Sequence, residues 1–259
     1  MSSNSPWPSP DGRSIVYVAS DDQACRICVM DRDGRNSRQL TTSDRFDFGP
    51  SYSPDGSKII FARAARHRPA HWGGMTWDQW DIWQVNADGS ALRQLTFGRY
   101  YSADEPYFNP DGKHVVFGAD VGEAFRSSHK LLIFDVGRDG SAVNLREVPL
   151  PPQPEKRKYD GDPSFSPDGS RIIFTSLRVS RASPYDYEIW TAGIDGTNLR
   201  QITHNSSRNQ NPVFSPDGKF IYSTISGLDL YGLWRTRADG SDARRLIEEI
   251  PSPKDEGRR

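Results

Sequence analysis

Two groups of residues in this chain are equipped for chemistry. The first stands beside a repeated proline: Gly49, Glu105, Asp162 and Asn211 directly precede it, and Asp47, Ala103, Asp160 and Asn209 lie two positions earlier. Carboxylates gathered at one place suit a hard cation such as Ca²⁺ through oxygen ligands, or the cationic group of a partner. Their structural alternative is to cap backbone amides at the starts of strands. The second group falls between Arg63 and Gln79, where Arg66, His67, Arg68, His71, Trp72 and Trp77 surround Gly73-Gly74. Trp and Arg anchor binding surfaces, and indole faces stack on sugar rings. Trp72 and Trp77 can equally fold back as a plug over the domain, and both readings stand at this point.

The signatures of a defined reaction are missing. The sequence has no G-x-S-x-G elbow, no H-E-x-x-H pair and no Gly-rich phosphate loop. His67 and His71 are four apart, but Pro69 between them argues against the helix on which such a zinc pair would sit. Paired acids could cleave a glycoside, and histidine with carboxylates could serve a metal-dependent lyase or hydrolase. The chain supplies residue types for either without an arrangement that singles one out.

Composition narrows the classes further. Net charge is -1, so no whole-surface field draws nucleic acid or an anionic membrane. No segment approaches the roughly 18 apolar residues of a membrane span, and Met1 to Gly12 lacks an apolar leader. Cys25 and Cys28 lie three apart on an expected strand and so on opposite faces, as small apolar fillers rather than a redox or metal pair. A monomer is expected.

The elements that must position these residues come from repetition. Ser-Pro-Asp-Gly occurs at Ser9–Gly12, Ser53–Gly56, Ser166–Gly169 and Ser215–Gly218, with Asn109–Gly112 as a fifth copy. Proline presets φ, Asp bonds nearby backbone and Gly takes the positive φ that closes a hairpin. A β-branched or aromatic run follows each tetrad, as in Ile59–Ala62 and Ile172–Thr175, and a second run ends at Asp33-Gly34, Asp88-Gly89, Asp139-Gly140, Asp195-Gly196 or Asp239-Gly240. A short last strand then passes through Arg38–Thr41, Arg93–Thr96, Leu145–Val148, Arg200–Thr203 or Arg244–Ile247. Four hairpin-linked strands make a sheet with two apolar faces, which stacking around an axis can bury.

The pattern P-x-Φ-S-P-D-G-x-x-I-Φ-F, followed by D-G and R-Q-L-T, with Φ apolar, resembles the WD40-like repeat of the TolB-type β-propeller family from about Pro6 to Ile247. The expected fold is therefore all-β, a propeller of five four-stranded antiparallel blades at about 5–41, 49–96, 105–148, 162–203 and 211–247, with a disordered tail at 248–259. A six-bladed ring of which these five are a fragment is the alternative. The resemblance implies a periplasmic or extracellular protein if a leader has been removed, and otherwise the chain is expected in the cytoplasm.

Meander topology sorts the connections into two rims. Tight Asp-Gly turns fall on one, and the long connections Arg63–Gln79, Ala119–Lys130, Pro149–Asp162 and Ser176–Asp186 fall on the other, where function on repeat scaffolds concentrates. The expected activity is binding without catalysis, of a protein, peptide or glycan. His71, Trp72, Trp77, Tyr100, Tyr101, Arg126 and Arg208 would form the surface, with Asp47, Glu105, Asp160, Asp162 and Asn211 at the mouth of the axial channel. A metal-dependent lyase or hydrolase on the same rim is the rival, and Ca²⁺ is the one cofactor the mouth would suit.

Overall fold

Each Pro-Asp-Gly tetrad folds into the same hydrogen-bonded turn. In the second repeat Ser53 Oγ donates to Asp55 Oδ1 at 2.5 Å, and the Ser57 backbone N–H donates to that oxygen at 3.0 Å. Gly56 takes φ of 72° to close it. The same bonds in the fourth repeat, from Ser166 and Ser170, hold the Asp168 carboxyl down at about 2.

The computed structural model describes residues 2–20, 24–42, 45–69, 75–121, 128–153, 158–178, 186–205, 207–226 and 232–247. His71, Trp72, Arg126 and the tail 248–259 lie outside them. The strands pair in chain order as five antiparallel meanders of four. The first holds β1 (Ser2–Pro8), β2 (Ser14–Ser20), β3 (Cys25–Asp31) and β4 (Arg38–Gln39). The second holds β5 (Phe46–Tyr52), β6 (Lys58–Pro69), β7 (Met75–Asn86) and β8 (Arg93–Gln94). The third holds β9 (Tyr107–Phe108), β10 (His114–Asp120), β11 (Ser128–Val136) and β12 (Ala142–Glu147). The fourth holds β13 (Lys158–Phe165), β14 (Arg171–Ser176), β15 (Glu188–Gly193) and β16 (Arg200–Gln201), and the fifth β17 (Arg208–Phe214), β18 (Phe220–Ser226), β19 (Gly232–Arg237) and β20 (Arg244–Ile247).

One expectation is corrected. The segment Arg63–Gln79 is not a loop for most of its length, because β6 and β7 run on as a hairpin with Arg66 opposite Asp78 and His67 opposite Trp77.

Alternation within each second strand sends one side chain back to the preceding blade and the next one forward. Val16 and Val18 of the first blade meet Ile59 and Phe61 of the second. Ile60 and Ala62 then meet Val115 and Phe117 of the third, Val116 meets Ile172 and Phe174 of the fourth, and Ile173 meets Ile221 of the fifth. The arginine of the fourth strand clamps the next blade's Asp-Gly turn from outside: Arg38 donates to the Ala87 and Asp88 carbonyls, Arg93 to that of Asp139 and Arg200 to that of Asp239. The adjacent leucine or isoleucine is sealed beneath, Leu40, Leu95 and Ile202 being 7%, 6% and 3% exposed, whereas Leu246 of the fifth blade is 45% exposed.

Phe117 is fully buried between the second and third blades. Phe117→Ala is expected to lower the unfolding free energy by about 3–5 kcal/mol in urea denaturation; a loss below about 1 kcal/mol would mean that these blades do not pack through it.

Candidate functional site

The innermost strands break step at a proline. Four register shifts fall between Asn4 and Trp7, Phe48 and Ser51, Gly161 and Ser164, and Gln210 and Val213. Proline has no N–H for the ladder, so a bulge there costs little pairing. The residue before it takes a left-handed φ: Ser5 at 49°, Gly49 at 59°, Asp162 at 47° and Asn211 at 51°. Gly, Asn and Asp are the residues that accept this conformation most readily. These four residues and Glu105, which precedes Pro106, line one cavity of about 210 Å³ together with Trp7, Tyr107 and Val213. All five blades reach it.

The wall is acidic and aromatic. Glu105 accepts from the Tyr107 hydroxyl at 3.2 Å and from Ser5 Oγ at 3.4 Å, and the Tyr107 ring lies 4.8 Å from that of Trp7. Beside it, Asp104 Oδ2 pairs with His129 Nε2 at 2.9 Å and accepts the Asp162 backbone N–H at 2.9 Å. The His129 ring stacks on Tyr159 at 4.7 Å, and the Tyr159 hydroxyl points to Asp162 Oδ1 at 3.5 Å. Asp162 Oδ2 meets the Asn211 backbone N–H at 3.4 Å.

These contacts split the carboxyls. Burial would raise Asp104, but the charge and hydrogen bond of His129 and the Asp162 amide outweigh it and hold Asp104 below its ordinary value. Burial, then repulsion from Asp104 and Glu105, pushes Asp162 up to about 7. Burial and Asp104 raise Glu105 as well. Burial alone would lower His129, yet the surrounding carboxylates, Asp104 first, keep it raised.

The expected mouth residues divide. Glu105, Asp162 and Asn211 converge on the cavity. Asp47 and Asp160 do not, because each is claimed by a buried arginine, Arg63 across the strand pair and Arg178 just past the end of β14. Asp47 sits opposite Arg63 in the β5–β6 register and takes Nε and Nη2 at 2.5 and 2.7 Å, with Thr41 Oγ1 donating at 2.6 Å. Asp160 accepts Arg178 Nη2 at 2.7 Å and Ser176 Oγ at 2.6 Å. The expected surface also divides. Tyr100 packs against the core of the second and third blades, its ring 5.8 Å from Phe117, and burial pushes its hydroxyl up to about 12. Trp77 is half-buried and stacks on His67 at 4.5 Å, above Phe46. Tyr101 is half-buried, and Arg208 is exposed 5.6 Å over the Tyr187 ring. Asp104, Tyr107, His129 and Tyr159 complete the site and were not anticipated there. Among the described residues no group of three or more His, Cys, Asp or Glu side chains is placed to hold a metal ion, so the calcium expectation gains no support.

An all-β stack of four-stranded meanders around an axial cavity is a β-propeller. The model of the TolB beta propeller domain matches residues 1–125. The Tol-Pal system protein TolB of Francisella tularensis is 23% identical over 255 residues, covering 80% of this chain and 53% of its own. TolB from Acinetobacter baumannii superposes with a TM-score of 0.70 at 22% identity, over 92% of this chain and 52% of that one. An oligogalacturonate lyase from Vibrio parahaemolyticus shares the fold at TM-score 0.55 and 12% identity, over 95% and 77% of the two chains. These repeats resemble those of the TolB-type β-propellers, whose fold the chain shares. It spans about half the length of the curated relatives it matches.

Arg63→Ala strands the Asp47 carboxylate in a site where it is 0% exposed. A loss of about 3–5 kcal/mol in unfolding free energy is expected near neutral pH. Replacing both partners by apolar residues should cost distinctly less, which a double-mutant cycle measures.

Proposed function

We propose that the chain is a non-catalytic binding propeller whose axial mouth receives a basic group of a protein or peptide partner. One observation carries the reading: a cavity bounded by all five blades presents Glu105 and Asp162, with no lysine or arginine paired to either among the described residues, beside the rings of Trp7 and Tyr107. A lysine or arginine side chain entering there would supply the missing positive charge, and the indole and phenol faces would stabilise it further. Partner docking of this kind takes its specificity from charge and its energy from a few anchors. The likeness to TolB proteins supports a protein partner over a glycan.

Short peptides with a central lysine or arginine, titrated against intrinsic tryptophan fluorescence, test it. Glu105→Gln and Asp162→Asn are each expected to weaken binding by about tenfold, and Trp7→Ala to abolish the fluorescence response. Equal affinity for peptides with a central glutamate would exclude the reading.

A further inference from the structure

The third and fourth blades are joined by a part-buried carboxylate–imidazole pair, while the neighbouring junction turns on an asparagine amide. Between the fourth and fifth blades the Asn209 backbone and side-chain N–H groups both donate to the Tyr187 carbonyl at 2.9 Å. Between the third and fourth the roles are reversed, and one carboxylate oxygen accepts from two donors. Asp104, just ahead of β9, gives Oδ2 to His129 of β11 and to the backbone N–H of Asp162 on β13. The two blades also pair directly beside it, Ser128 with Lys158 and His129 with Tyr159 in parallel register. Room for the carboxylate is made by glycine on both sides. A Cβ on Gly118 would overlap Asp104 Oδ2 and His129 Nε2, and one on Gly161 would overlap Asp104 Oδ2 and the Tyr159 hydroxyl. Glycine inside a strand weakens it unless a close approach requires it, and here the approach is that of Asp104.

An amide oxygen in place of the carboxylate could accept from the same two donors without carrying a charge. The charge therefore adds a dependence that the fold alone does not need. We propose that Asp104 latches the third blade to the fourth and that this latch loosens as the cluster loses its protons on going from mildly acidic to mildly alkaline pH, opening the wall of the mouth formed by Glu105 and Asp162.

The groups facing the latch fix the direction. From its own segment comes Glu105, from β9 Tyr107, from β10 Asp120, from β11 His129, and from β13 Tyr159 and Asp162, with Tyr187 edge-on to Tyr159. His129 is held protonated above its ordinary range, so its contribution is complete below that range and is lost as pH rises through the folded value. Asp162 and Glu105 hold their protons longer in the folded protein than in the unfolded chain, so stability falls as pH climbs from the ordinary carboxylate range towards about 7. Asp104, held low, contributes fully throughout that window. All changes within it point the same way. The inference concerns the latch itself and stands whether or not the mouth binds a basic group.

Thermal unfolding and amide exchange of the full chain, followed from about pH 5.5 to about pH 8.5, test it. The expected Tm falls by roughly 3–6 °C across that range. Exchange, corrected for its intrinsic pH dependence, should rise about tenfold at Lys158–Asp162 and at Asp104–Glu105 relative to the first blade. Asp162→Asn should remove most of the slope, and Asp104→Asn should lower Tm at every pH and flatten it. A wild-type Tm constant to about 1 °C overturns the proposal, as does excess exchange spread evenly over all five blades or an undiminished slope in Asp162→Asn. The wild-type profile decides the matter even where a variant does not fold.

Discussion

A four-stranded sheet that is apolar on both faces has no stable place in water, and this molecule is organised by that constraint. Each blade shields one face of its neighbour, and the alternation of side chains along β6, β10 and β14 assigns every second residue to the blade behind and every other to the blade ahead. Phe61, Phe117 and Phe174 hold the rearward position in three successive blades and are fully buried in all of them. The polar turn chemistry follows from the same need. Tight Asp-Gly turns let the next sheet approach until an arginine of the previous one can reach its carbonyls. Without the stacked sheets none of the polar arrangements at the axis would be held.

Within that frame the chain treats buried charge in two ways. Asp47 with Arg63, and Asp160 with Arg178, are matched one to one and satisfied further by hydroxyl donors. Such pairs fix one strand against another and leave little field beyond themselves. At the axis Asp104 pairs with His129, Asp162 feels the same imidazole, and Glu105 beside them is held by hydroxyl donors. Low solvent access makes that imbalance felt over the whole cavity wall, and it is the feature that gives the mouth a preference among ligands.

The fold was legible because its determinants are local and repeated five times. Pro-Asp-Gly tetrads, apolar runs and the Arg-Gln-Leu-Thr strands each carry their own mechanism. The site was legible in part. Counting back from the proline found Glu105, Asp162 and Asn211, since the residue at that offset lines the cavity in every repeat. Counting two further back gave Asp47 and Asp160, whose fate depends on arginines, Arg63 and Arg178, that a linear count does not see. His129 and Tyr159 meet Asp104 only through the parallel pairing of β11 with β13, a contact between blades with no signature in either repeat. The one available signal was glycine at 118 and 161, inside strands that otherwise favour branched residues.

The left-handed residue ahead of four of the inner prolines has a consequence for how such a molecule can change. Its backbone is fixed by the bulge and accepts glycine, asparagine or aspartate, while its side chain belongs to the central chamber and hardly to the packed layers. The four positions 5, 49, 162 and 211 thus behave as a dial, each rewritable by one codon, although a side chain at 49 would have to displace Glu105. A lineage could pass from an acidic chamber to a neutral one without rebuilding a single blade.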